Sequence, residues 1–341
     1  MLKRLPRRIE RDEPEHESIA CRYPHKVIPL AWQALTTFLE QPLPHPMMRY
    51  GRPAISDGAA PLAQSRLPFD IFVLNLEASK IRLNATKAQL ERASISEADW
   101  RRHAGVYGSD LDIDALVRAG LAVSGQARNN MACALSHYVL WAALAKRHAA
   151  NRTSSTSSTS STEEHESKHH HLPLEWTSAH SSHEGKPRRS RGRSALILED
   201  DALLSGPGFV ARAARVLARC EALRYDLCHL YWNRHLTRPE CITPARVPGA
   251  SSDGEVDLVR LSCREGLTAG TVAYFLSPNG AVRALERGLP MRKEIDLQVG
   301  ESSTALRWFA LAQERSVVQH DFGKKSVRVF GVQESRRRRG R

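Results

Sequence analysis

Residues 195–198 read ALIL, and the next three, Glu199, Asp200 and Asp201, are all acidic. Four apolar residues bounded by charge suit a short strand buried on both faces. Three adjacent carboxylates repel one another, and partial burial raises the cost of ionising them. The strand therefore has to end where water covers the acids or where a positive charge sits among them. Two readings fit. Hard oxygen ligands at a strand-to-loop exit can share a divalent cation, Mg²⁺ or Mn²⁺. Alternatively, Asp200 or Asp201 caps a following helix. Three acids in a row exceed what one cap requires.

The text around this strand alternates between two periods. FDIFVLNL (69–76) is a strand-like apolar run. Ser79 stands where it can cap a helix reaching about Arg92, with Ile81, Leu83, Ala85, Ala88 and Leu90 to bury. A second short apolar element ends at GVYG (105–108). Residues 129–147 carry Met131, Leu135, Tyr138, Val139, Ala142 and Ala145 at helical spacing. Downstream, 209–223 reads as helix, 225–232 as strand and 267–277 as strand, with Tyr274 in the core. Ser277-Pro278 opens a further helix that Gly288 closes. Strands alternating with helices predict an α/β fold: a Rossmann-like, mostly parallel sheet flanked by helices. Ligands bind such sheets at the carboxyl ends of the strands, which is where the three acids stand.

The predicted globular unit spans 67–330. Residues 1–66, rich in Pro, Arg and His, read as a poorly ordered extension with one helix near 30–39. About 149–193 is biased toward Ser, Thr and His and reads as a disordered insertion in a loop. Removing it restores a helix followed directly by ALIL. The formal charge is +13, but KPRRSRGR (186–193) and RRRRGR (336–341) each carry five cations. The basicity thus belongs to a linker and to a tail at 331–341, and it reads as solvated charge rather than a nucleic-acid surface. No apolar run approaches the roughly 18 residues of a membrane helix. The charged opening MLKRLPRRIERDEPEHE has no signal-peptide core, so the expectation is a soluble, cytoplasmic protein.

Six cysteines include no C-x-x-C pair and are expected as buried thiols. HESKH (165–169) fits the zinc-protease pattern H-E-x-x-H. That chemistry needs a rigid helix with both histidines on one face. Here the match lies in a polar tract with no apolar face to dock one, so chance accounts for it.

Five stretches, in order, resemble glycosyltransferase family 25, which includes lipooligosaccharide glycosyltransferases and collagen galactosyltransferases. They are FVLNLEASKIRLNATKAQL, MACALSHYVLWAALA, ALILEDDALL, LTAGTVAYFLSPNGA and EIDLQVG. The resemblance covers about 69–330 and implies a GT-A-type fold and a nucleotide-sugar donor, commonly UDP-galactose. It further implies a divalent cation, Mn²⁺ or Mg²⁺, held by Glu199 and Asp201, which extended backbone would turn the same way. Donor contacts are implied at Asn75, Leu76, Arg82, Ser136, His137 and Asp200. Asp296 is the implied base toward the acceptor hydroxyl, with Glu294 second. The acceptor would be a glycan, a lipid-linked sugar or a protein hydroxyl. The chain departs from the family pattern at Ala78 and Leu83, where arginines are usual. It departs also at Tyr107 (usually acidic), Ala132 (usually Gly) and Glu294 (usually Pro).

The expected activity is metal-assisted, inverting hexosyl transfer. The rival from another class is a non-catalytic binding protein that keeps the fold and uses its basic tail on nucleic acid or an anionic surface.

Overall fold

The structure, a computed structural model, describes residues 67–156, 193–232, 237–245, 257–262, 270–312 and 317–321. The extension at 1–66, the HESKH tract and the tail at 331–341 lie outside the described residues, as does most of the insertion. In chain order the elements are β1 (Asp70–Asn75), α1 (Lys80–Arg92), β2 (Trp100–Ala104), α2 (Ile113–Arg118) and α3 (Arg128–Thr156). Then come β3 (Ala195–Glu199), β4 (Ala202–Leu204), α4 (Phe209–Ala222), β5 (Leu227–His229), β6 (Ile242–Ala245) and β7 (Leu258–Leu261). The chain continues with β8 (Ala273–Leu276), α5 (Pro278–Gly288), α6 (Ile295–Glu301), β9 (Trp308–Leu311) and β10 (Val318–His320).

Eight strands form one sheet in the order β2-β1-β3-β8-β5-β9-β7-β6, and β10 pairs with β4 apart from it. The ladders run β1, β2, β3, β5, β9 and β6 in one direction, and β8 and β7 in the other. The fold is α/β, and the sheet is mixed: six of its eight strands are co-directed. The reversed β8 lies between β3 and β5, so the sheet is not uniformly parallel.

Period two sorts the strand residues between two cores. Phe72, Leu74, Ala195, Ile197 and Tyr274 pack with α3, α5 and α6 on one face. Ile71, Val73, Leu196, Leu198 and Phe275 pack with Leu90 of α1 and with Phe209, Ala213, Val216, Leu217 and Cys220 of α4 on the other. The central helix α3 has every residue of its expected apolar face buried: Met131, Leu135, Tyr138, Val139, Ala142 and Ala145. Trp141 is buried on the same helix, and each such aromatic contributes on the order of 2–3 kcal/mol by leaving water.

Four expectations need correcting. Ile81 is 84% exposed, because α1 lays Thr86, Gln89 and Leu90 against the sheet instead. Helix α3 runs on to Thr156, into the stretch expected as disordered insertion. At that stretch's other end, Arg193 pairs with buried Asp70 at 3.3 Å, beside Arg147 of α3 at 2.6 Å. Cys241 is disulfide-bonded, whereas Cys133, Cys220 and Cys228 are reduced thiols.

Among the described residues, no helix is long and apolar enough to cross a membrane.

Candidate active site at the carboxyl edge of the sheet

Strands β1 and β3 are adjacent and parallel, with Leu74 opposite Glu199. Their carboxyl ends therefore deliver Asn75 and the three acids to one edge. Parity decides where each side chain goes. Glu199 continues the Ala195–Ile197 face toward α3, and Asp200 continues the Leu196–Leu198 face toward α1. Asn75 shares the α1 face with Ile71 and Val73, and its Nδ2 donates to Asp200 Oδ2 at 2.6 Å. Arg102 of β2 donates through Nε to Asn75 Oδ1 at 3.0 Å.

β3 ends at Glu199, so the alternation stops and Asp201 does not turn back to Glu199. It joins Asp200 instead. Nη2 of Arg82, on α1, contacts Asp200 Oδ1 and donates to Asp201 Oδ2 at 2.9 Å. The Thr86 hydroxyl, one turn on, donates to the Asp200 carbonyl at 3.2 Å. The expectation that alternation turns Glu199 and Asp201 the same way is not met, because the turn begins between them. Nor does either aspartate cap a helix. β4 follows directly, and Gly208 is the N-cap of α4.

His320 approaches Asp201 from the far end of the chain. β10 pairs antiparallel with β4, setting His320 opposite Ala202. His320 Nε2 lies 3.4 Å from Asp201 Oδ2, and the Asp321 amide donates to the Asp201 carbonyl at 3.0 Å. The hydrogen bond to Asp201 raises the His320 pKa above its ordinary value, against the opposing effect of burial. Burial pushes the Asp200 carboxyl up to about 6, even with Arg82 and Asn75 favouring its charged form. Asp201 Oδ1 is buried and has no hydrogen-bond partner among the described residues.

On the α3 face, His137 Nε2 lies 3.3 Å from Glu199 Oε1. Its Nδ1 is 2.8 Å from the Tyr274 hydroxyl, which accepts from Trp141 Nε1 at 2.8 Å. The Thr271 hydroxyl contacts Glu199 Oε1 and also lies 2.8 Å from Asp296 Oδ1. One hydroxyl proton thus faces two carboxylates and satisfies one of them at a time. Two further buried imidazoles, His229 and His103, are pushed down to about 3 and about 4, chiefly by burial.

The structure brings the expected residues together in two groups, Asn75–Arg82–Asp200–Asp201 and His137–Glu199–Asp296. Three others do different work. Ser136 accepts from the Val106 amide at 2.9 Å and donates to the Ala132 carbonyl at 2.7 Å, fastening the loop after β2 to α3. Leu76 contributes a carbonyl that closes a turn with the Ser79 amide. Glu294 is exposed at the N-cap of α6 and accepts from Asn130 at 2.8 Å. Arg82, expected toward a phosphate, is engaged with carboxylates. Sequence reasoning missed Thr271, His320 and Arg102. Only Arg102 had a local signal, sharing strand parity with Trp100 beside Asn75.

A hard divalent cation suits this donor set. Asp201 presents a buried carboxylate oxygen with no hydrogen-bond partner among the described residues, and a cation of this kind accepts such an oxygen. No family model matches the chain, and no curated protein matches it.

Proposed function

We propose that the protein is a metal-assisted, inverting glycosyltransferase with a GT-A-type fold that transfers a hexose from a nucleotide sugar. The observation that carries this reading is the meeting of two differently equipped carboxylate groups at one carboxyl edge of the sheet. Asp200 and Asp201 form a charge-bearing group with Arg82. Asp296 stands in a second group, tied to Glu199 through Thr271.

In this reading Asp201 would hold the cation, with Asp200 beside it. Such an ion, when bound, neutralises charge developing on a departing diphosphate. Arg82 holds Asp200 and Asp201 beside each other for that ion. Asn75, held by Arg102, and Asp200 shape the donor side. Asp296 accepts the proton of an acceptor hydroxyl as that oxygen attacks the anomeric carbon from the face opposite the leaving group. Thr271 orients Asp296, and because its single proton also faces Glu199, the two carboxylates share one donor. The acceptor class is a hydroxyl on a glycan, a lipid-linked sugar or a protein.

A donor-turnover assay with Mn²⁺ and a panel of nucleotide sugars tests the proposal. One donor should be consumed by the wild type, and Asp296→Ala should lose at least about 100-fold of that rate, the scale of general-base catalysis. Equal rates in wild type and Asp296→Ala would remove Asp296 from the mechanism.

A further inference from the structure

We infer that Cys133, His137 and Glu199 form a second metal site, for a borderline cation of the Zn²⁺ type, separate from the Asp200–Asp201 pair. One thiol sulfur, one imidazole nitrogen and one carboxylate oxygen lie within 4.8 Å of one another. Cys133 and His137 stand four residues apart on α3, so both project from one side of the helix. Glu199 reaches the same point from the end of β3, carried there by strand parity.

Two features fit a metal better than a simple ion pair, and the ligand spacing is compatible with one. The donor set of sulfur, nitrogen and oxygen is the mixture that Zn²⁺ accepts and that Mg²⁺ or Mn²⁺ does not favour. Tetrahedral bonds of about 2.0–2.2 Å hold nitrogen and oxygen ligands roughly 3.4 Å apart. His137 Nε2 and Glu199 Oε1 are already 3.3 Å apart. Finally, the imidazole is held from behind. His137 Nδ1 is oriented by the Tyr274 hydroxyl, itself fixed by Trp141, while Thr271 positions the Glu199 oxygen that faces His137. Outer partners of this kind set ring orientation and tautomer in metal sites. α3 is packed along this stretch, with Ala132, Ala134 and Leu135 buried, so the helical pair is preorganised.

Three protein ligands leave one tetrahedral position open, and Thr271 links Glu199 to Asp296. The site shares Glu199 with the Thr271–Asp296 group of the proposed function, whereas Asp200 and Asp201, proposed for the donor cation, are not among its ligands.

Cobalt(II) is the probe, because a cobalt–thiolate bond gives a near-ultraviolet charge-transfer band that oxygen or imidazole ligands cannot give. The full chain is stripped with a chelator and titrated with Co²⁺. The expected result is a charge-transfer band saturating at one equivalent and abolished by Zn²⁺ in competition. Cys133→Ser loses the band and keeps its far-ultraviolet dichroism. Asp201→Asn keeps the band, which separates this site from the proposed donor cation. Tyr274→Phe binds Zn²⁺ about 10- to 100-fold more weakly, the usual effect of removing an outer partner. A wild type without the band, or a band that survives in Cys133→Ser, overturns the proposal.

Discussion

Arg82 bridges Asp200 and Asp201: a single guanidinium nitrogen contacts a carboxylate oxygen of each, at 2.9 Å for Asp201. Neighbouring acids that would otherwise repel thus share one cation drawn from α1. All three side chains are largely covered, so neither charge can rely on water alone.

Removing that cation should expose the repulsion. Arg82→Ala is expected to lose roughly 3–5 kcal/mol in urea unfolding, the scale for leaving a covered charge unpaired. If the acids also hold a metal, Mn²⁺ should restore more stability to the variant than it adds to the wild type. Equal responses to Mn²⁺ would separate the acids from any cation site.

Much of this edge was legible in the sequence, because strand parity is rigid. ALIL ending in Glu199 and FDIFVLNL ending near Asn75 predict two strands of a mostly parallel sheet, and the structure pairs them side by side in parallel. Parity then assigns Glu199 and Asp200 to opposite faces. It fails at Asp201, where extended backbone gives way to a turn that no local residue announces. Thr271 precedes β8, and His320 arrives through the β4–β10 ladder. Such long-range meetings leave no periodic trace in the chain. Ile81 misled because apolar spacing in α1 does not record that Thr86 and Gln89 make polar contacts at the buried face.

Thr271→Val keeps the side-chain shape and deletes the hydroxyl. Glu199 and Asp296 then lose their shared donor and face each other with less stabilisation of charge. The apparent pKa of the base in the kcat profile should move upward, and kcat should fall about 10- to 100-fold. Thr271→Ser should recover most of both. An unmoved pH profile would make Thr271 a packing residue only.

The raised Asp200 carboxyl gives stability a signed pH dependence. Its folded pKa of about 6 exceeds its ordinary 3.8, so the folded protein keeps a proton that the unfolded chain has lost. This group's contribution to stability therefore declines as pH rises from about 4 to about 6, and is constant above. Asp200→Asn should remove that slope, read as melting temperature against pH. Saturating Mn²⁺ should shrink the slope in the wild type by favouring the ionised form.

α5 approaches β5 so closely that a Cβ at Gly280 would lie 2.0 Å from the Asp226 carbonyl oxygen, a backbone atom. Gly280→Ala must push the helix off the sheet. An expected loss of about 1–3 kcal/mol or more follows from overpacking, despite the better helix propensity of Ala. Chemical denaturation reads it directly.

The claim on which the functional reading rests is that the Asp200–Asp201 edge binds a nucleotide sugar together with a divalent cation. Calorimetric titration of the full chain with a nucleotide-sugar panel, with and without Mn²⁺, tests this most directly. The expected result is saturable binding of at least one donor that requires Mn²⁺ and weakens by about 100-fold or more in Asp201→Asn. Binding indifferent to both Mn²⁺ and Asp201, or no binding of any donor by the folded wild type, would contradict it.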